Sequence, residues 1–112
     1  MAESNLGKTS CGMQPNVAAG LAYLLGIITG IIFYLIEKEN KFVRFHAMQS
    51  IIVFGFLFVA GIIAGLLPIL NIFLAPIVGL ISLILWIVLM IKGFQGQSFK
   101  MPIAGDIAEK NA

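Results

Sequence analysis

Charge is scarce in this sequence. Asp, Glu, Lys and Arg make up 11 % of it, where soluble domains carry about a quarter. With 60 % apolar residues and a mean hydropathy of +1.04, a water-soluble surface is excluded. A chain of 112 residues has room for one domain and cannot bury that much apolar side chain in its own core, so lipid must cover the rest. Cys11 is the single cysteine, which excludes an internal disulfide and a multi-cysteine zinc site. There is one histidine, His46, and no carboxylate lies inside an apolar block. Acid–base, nucleophilic and metal schemes therefore all lack members. A metal site of His46 with Glu37 or Glu39 would rest on one imidazole, and none is assigned. No phosphate loop or haem motif is present, so the reading is a non-enzyme without a cofactor. The net charge of +2 comes from cations at segment ends rather than on one face, which does not suit nucleic acid. Residues 1 to 16 include Glu3, Asn5, Lys8 and Pro15 and have no apolar run. They read as a flexible polar tail, not a cleavable signal, so the first hydrophobic helix is expected to direct its own insertion.

What is present is long hydrophobic runs. Residues 17 to 36, VAAGLAYLLGIITGIIFYLI, hold no charge, and as one helix would span about 30 Å, a bilayer core. EKENKFVRFH, at 37 to 46, is charge-dense and forms the first connection. Residues 47 to 91 are again uncharged and as one helix would run about 68 Å, so the chain has to turn back within them. Pro68, Asn71 and Pro76 cluster mid-block, and the reversal is expected at about 68 to 75. The expected fold is all-α: a polytopic bundle of three transmembrane helices, about 17–36, 45–67 and 76–91, followed by a cytoplasmic tail at 92–112. A second reading has four helices, or a re-entrant segment around 66 to 80.

Three spans leave Lys8 alone on one side and six cations, Lys38, Lys41, Arg44, Lys92, Lys100 and Lys110, on the other. The positive-inside rule then predicts a multi-pass cell-membrane protein with its N-terminus outside and its first loop and C-terminus cytoplasmic. The tail segment IAGDIAEK is mildly amphipathic and suits the membrane surface. Its Asp106 and Glu109 are within reach of a weak exposed pairing with Arg44 or Lys41.

Helices in lipid associate by close packing, so small residues at four-residue spacing mark contacts. Ala18, Ala22, Gly26 and Gly30 form such a stripe on the first helix; Gly61 and Gly65 lie on the second, and Ala75 and Gly79 on the third. Within FVRFHAMQS, at 42 to 50, His46, Gln49 and Ser50 share an arc of about 100° and Arg44 points elsewhere. These four are the candidate polar or partner site. They compete with a plainer reading in which His46 and Gln49 bond a neighbouring helix and Arg44 snorkels to lipid phosphate.

KFVRFHAMQS, the two hydrophobic spans after it, and MPIAGDIAEK at 101 to 110 resemble a widespread prokaryotic family of small membrane proteins. That family is grouped with the twenty-kilodalton component of the chloroplast inner-envelope import translocon. The resemblance covers roughly residues 16 to 110. It implies an all-helical membrane protein related to a protein-transport subunit, although the plastid proteins are described with four spans. The expected function is a non-enzymatic subunit that packs against other membrane proteins or copies of itself in the lipid bilayer. Two alternatives are an oligomeric channel or carrier for ions or small solutes, resting on His46, Gln49 and Asn71, and a membrane-stabilising protein without a substrate.

Overall fold

The computed structural model describes residues 7–112 and is all-helical, so the first six residues of the expected polar tail lie outside the described residues. Its elements are α1 (Pro15–Leu21), α2 (Ile27–Ile36), α3 (Lys41–Gly65), α4 (Pro68–Phe94) and α5 (Ala104–Asn111). α3 and α4 are the two helices long and apolar enough to cross a membrane. Three apolar segments pack into one bundle, as expected, but the first is folded back on itself.

Residues 22 to 26 break that first block. Gly26 sits at φ +61°, ψ −121°, a conformation open to glycine because it has no Cβ. At membrane depth no water satisfies the freed backbone groups, so side chains must. Thr29 Oγ1 accepts from the Leu25 amide at 3.0 Å and donates to the Ala22 carbonyl at 3.0 Å. Ser50 Oγ donates to the Gly26 carbonyl at 2.9 Å, and Trp86 Nε1 donates to the carbonyls of Tyr23 and Leu24 at 2.8 and 3.1 Å.

α1 runs antiparallel to the end of α4: Asn16 Nδ2 donates to the Phe94 carbonyl at 2.9 Å, and Tyr23 reaches Trp86. α2 then returns antiparallel to the start of α3, from Gly26 beside Phe54 to Tyr34 beside Arg44. Both ends of the first block thus lie at one end of the molecule. Ser10 and Cys11 donate to the Glu37 carboxylate, and Asn40 Nδ2 donates to the Lys8 carbonyl at 3.0 Å. This corrects the expected topology. With the N-terminal segment bonded to the first loop, the two cannot face opposite sides of a membrane.

The second reversal is also earlier and tighter than expected. α3 ends at Gly65, Leu66 and Leu67 turn the chain, and Pro68 opens α4 in its first turn, where its missing N–H costs nothing. Asn71 and Pro76 lie inside α4 rather than in a connection, and α4 runs unbroken from 68 past 80, across most of the stretch where a re-entrant segment was the alternative. The chain does fold back within an apolar block, but in the first one.

Of the small residues, Ala18 and Ala22 are buried with Phe33, Val43 and Ala47. A Cβ at Gly30 would stand 3.0 Å from the Ala47 carbonyl oxygen. The broken helix therefore keeps its groove against α3. A Cβ at Gly61, Gly65 or Gly79 would meet nothing, and Ala75 is exposed, so these make no contact within the chain.

Candidate functional site

The polar residues gather at the charged end, around the first turns of α3. Asn40 caps that helix, its Oδ1 accepting from the Val43 amide at 3.1 Å. Residues 46, 49 and 50 then fall on the inward side of α3, and all three side chains are buried.

One ring of hydrogen bonds joins His46 and Gln49 to Tyr23 and the tail. A backbone carbonyl only accepts, so His46 Nε2 must donate to Gln97 at 2.7 Å. That leaves His46 Nδ1 to accept from the Tyr23 hydroxyl at 2.6 Å. Tyr23 in turn accepts from Gln49 Nε2 at 2.9 Å, and the same amide donates to the Phe99 carbonyl at 2.8 Å. Gln49 Oε1 accepts from the Met101 amide at 2.9 Å. Every polar atom of this trio is engaged within the chain. The imidazole is further enclosed by T-shaped contacts with the rings of Tyr23, Phe42 and Phe45, at centroid distances of 5.4, 4.7 and 5.1 Å. The arrangement fixes one tautomer and pins segment 97–101 to α3.

Arg44 does not join that ring. Its Nη1 donates to the carbonyls of Tyr34 and Glu37 at 2.9 and 2.8 Å, closing the C-terminal end of α2, and its guanidinium stacks 4.0 Å from the centre of the Tyr34 ring. Nor do the side chains of Asp106 and Glu109 reach it, since both pair with Lys100, at 3.5 and 2.9 Å; of the tail, the Ala112 oxygen accepts from Arg44 Nε at 3.4 Å. The expected pairings with Arg44 or Lys41 are thereby corrected, because α5 folds back beside its own approach segment. Ser50 serves the break at Gly26 instead of the ring.

Glu37, considered from the sequence only as a metal companion of His46, is fully buried in the first loop and has a structural role that the sequence reading missed. Its carboxylate accepts from the amides of Ser10, Cys11, Glu39 and Asn40 and from the Ser10 hydroxyl, at 2.9 to 3.1 Å. Burial works to raise its pKa, but the amides of Ser10, Asn40 and Cys11, together with the Cys11 side chain, outweigh it and hold the group at about 2. The signal was a Glu three residues before an Asn cap; its N-terminal partners had no signal at all. A carboxyl with a depressed folded pKa stabilises above its unfolded value, near about 4.3, and that contribution is lost as pH falls toward 2. Thermal melts in detergent should therefore show stability dropping between about pH 4.5 and 2. Glu37→Gln should lose about 2 kcal/mol at neutral pH and flatten that slope. An unchanged slope in the variant would remove Glu37 from this role.

The comparisons with known proteins bear on this architecture. The profile of the magnetosome magnetite crystal formation protein family, MamF/MmsF, matches residues 10–108, nearly the whole described chain. The chain belongs to that family. A UPF0132 membrane protein of Methanocaldococcus jannaschii is 52 % identical over 105 residues, covering 94 % of each chain. One of Archaeoglobus fulgidus is 50 % identical over 98 residues, 88 % of this chain and 95 % of the relative. A second protein of Methanocaldococcus jannaschii is 44 % identical over 99 residues, 88 % of this chain and 71 % of that one. No solved structure matches the chain. These findings correct the family suggested by KFVRFHAMQS and MPIAGDIAEK. KFVRFHAMQS lies within the MamF/MmsF match and MPIAGDIAEK runs two residues past its end, and none of these similarities links the chain to the plastid translocon or to protein transport. These archaeal relatives are membrane proteins by name, in agreement with the two apolar helices.

Proposed function

We propose that the chain is a non-enzymatic membrane subunit that assembles with the membrane helices of other proteins through its α3–α4 hairpin, its charged end facing the cytoplasm. The observation that carries this reading is the contrast between the molecule's two ends. At the base, the candidate polar side chains are consumed by internal hydrogen bonds. From 55 to 81 Ala64 is the one buried residue, and Gly61, Gly65 and Gly79 leave open ground on which another backbone can close. Two of the three residues behind the channel reading, His46 and Gln49, are bonded within the chain, and the hydroxyls of Thr29 and Ser82 are spent on carbonyls of their own segments, which leaves Asn71 as its one remaining polar residue and favours the subunit reading. The family description speaks of magnetite crystal formation. Among the described residues no three His, Cys, Asp or Glu side chains gather where a metal ion could be held, which favours a membrane-organising part in such a process over an iron-binding one. Lys8, Lys38, Lys41, Arg44, Lys92, Lys100 and Lys110 all lie at the base, and the positive-inside rule supports a cytoplasmic base with Lys8 and the tail inside.

The test is affinity purification from crosslinked native membranes in mild detergent. Recovery of a defined membrane partner is expected, and its loss, with monomer stability intact, when Gly61 and Gly79 are both replaced by leucine. Monomer alone from the unmodified protein would count against assembly, and a species made only of this chain would turn the reading to a homo-oligomer.

A further inference from the structure

The two halves of the molecule occupy very different areas of a bilayer. α3 and α4, at 25 and 27 residues, run about 37 and 40 Å and cross the whole hydrocarbon core. α2, at ten residues, covers about 15 Å, half of that core, and α1 is shorter still. Their turn lies level with Phe54 and Trp86, so the α1–α2 hairpin enters one leaflet and leaves by the same face. Leu25, Ile28 and Leu35 are each 62 % exposed on its outside, an apolar coat for acyl chains and not for water. The tail adds to the same half: the Met101 amide is held by Gln49, Met101 and Ala104 pack against the cluster of Tyr23, Val53 and Leu89, and the Asn111 carbonyl accepts from the Tyr34 hydroxyl at 2.7 Å. Five elements thus stand in the basal leaflet, while the opposite leaflet receives two helices joined by a two-residue turn. The molecule, 51 Å long and just over 20 Å across, tapers along its length.

We infer that the protein is a wedge that senses or produces membrane curvature, with its broad base in the convex leaflet. Flat bilayers give both leaflets equal area per length, so a wedge expands one and strains the lipids around it; a bilayer bulging toward the base relieves that strain. The partner is lipid alone, so a monomer suffices and the inference stands apart from assembly with other proteins.

The experiment uses the full chain with Cys11→Ser and one new exposed cysteine, Lys8→Cys or Lys110→Cys. It is reconstituted at low density into zwitterionic vesicles extruded from one film to about 50 or 400 nm. A membrane-impermeant maleimide reads the outward-facing fraction. Both cysteines should label from the same side, and the ratio of base-outward to base-inward molecules should be at least about twofold higher in the small vesicles, as curvature-sensitive insertion requires. Equal ratios at both sizes would overturn the wedge. Labelling of the two positions from opposite faces would overturn the re-entrant hairpin on which it is built. Loss of protein assembly would leave either outcome unaffected.

Discussion

Gly93→Leu should be the most damaging single substitution in this chain. A Cβ at Gly93 would stand 2.9 Å from the Ala19 carbonyl carbon and from the Gly20 nitrogen, and 3.0 Å from the Ala19 oxygen. Those neighbours are backbone, held in place by the antiparallel run of α1 along α4, so no side chain can swing aside. Overpacking a fitted core costs about 1 to 3 kcal/mol, and the upper end applies where main chain must move. The damage spreads beyond one contact. If α1 is pushed from α4, Tyr23 leaves His46 and Gln49, and Trp86 loses the carbonyls of Tyr23 and Leu24. Thermal unfolding in detergent should show a loss of about 3 kcal/mol for Gly93→Leu. Gly79→Leu, on the same helix with open space around it, should melt like the unmodified protein. Equal behaviour of the two variants would mean that α1 does not pack on α4 as described.

Gln49→Met should release the tail. The replacement keeps roughly the volume and removes both polar ends, so the Met101 amide, the Phe99 carbonyl and the Tyr23 oxygen lose their shared partner at once. Left buried and unpaired, such groups cost about 1 to 3 kcal/mol each, more than a short segment gains by staying docked. The cheaper response is local opening: residues 97 to 112 detach and find water, while α3 and α4 stay in the bilayer. Tryptic cleavage after Lys100 in intact proteoliposomes should then quicken by at least about tenfold, the equivalent of about 1.4 kcal/mol. Global melting should change far less. Unaltered cleavage would show that Gln49 does not hold the tail.

The all-helical membrane character was legible because uncharged runs of this length leave no other solvent. So was the existence of a reversal near Pro68, since the second block is too long to cross once. The fold-back of the first block was not legible, for a physical reason. Its twenty residues have the length and composition of a span, and Gly26 alone is as common in membrane helices as in breaks. What makes the break affordable is the set Thr29, Ser50 and Trp86, two of which come from other helices and show their purpose only once the chain is folded. The same holds for the polar arc. His46 and Gln49 were recognisable as inward-facing, but Tyr23 and the carbonyls that complete their ring lie about 23 residues upstream and 50 downstream. Charge counting, too, depended on topology: the tally that placed Lys8 opposite six other cations assumed a crossing that the bonds from Ser10 and Cys11 to Glu37 rule out.

Trp86 is the sole indole in the sequence, and its N–H rests on the carbonyls of the folded-back turn. The chain therefore carries a native optical reporter at the joint between its two hairpins. Its emission colour follows the docking of one upon the other without any dye or label.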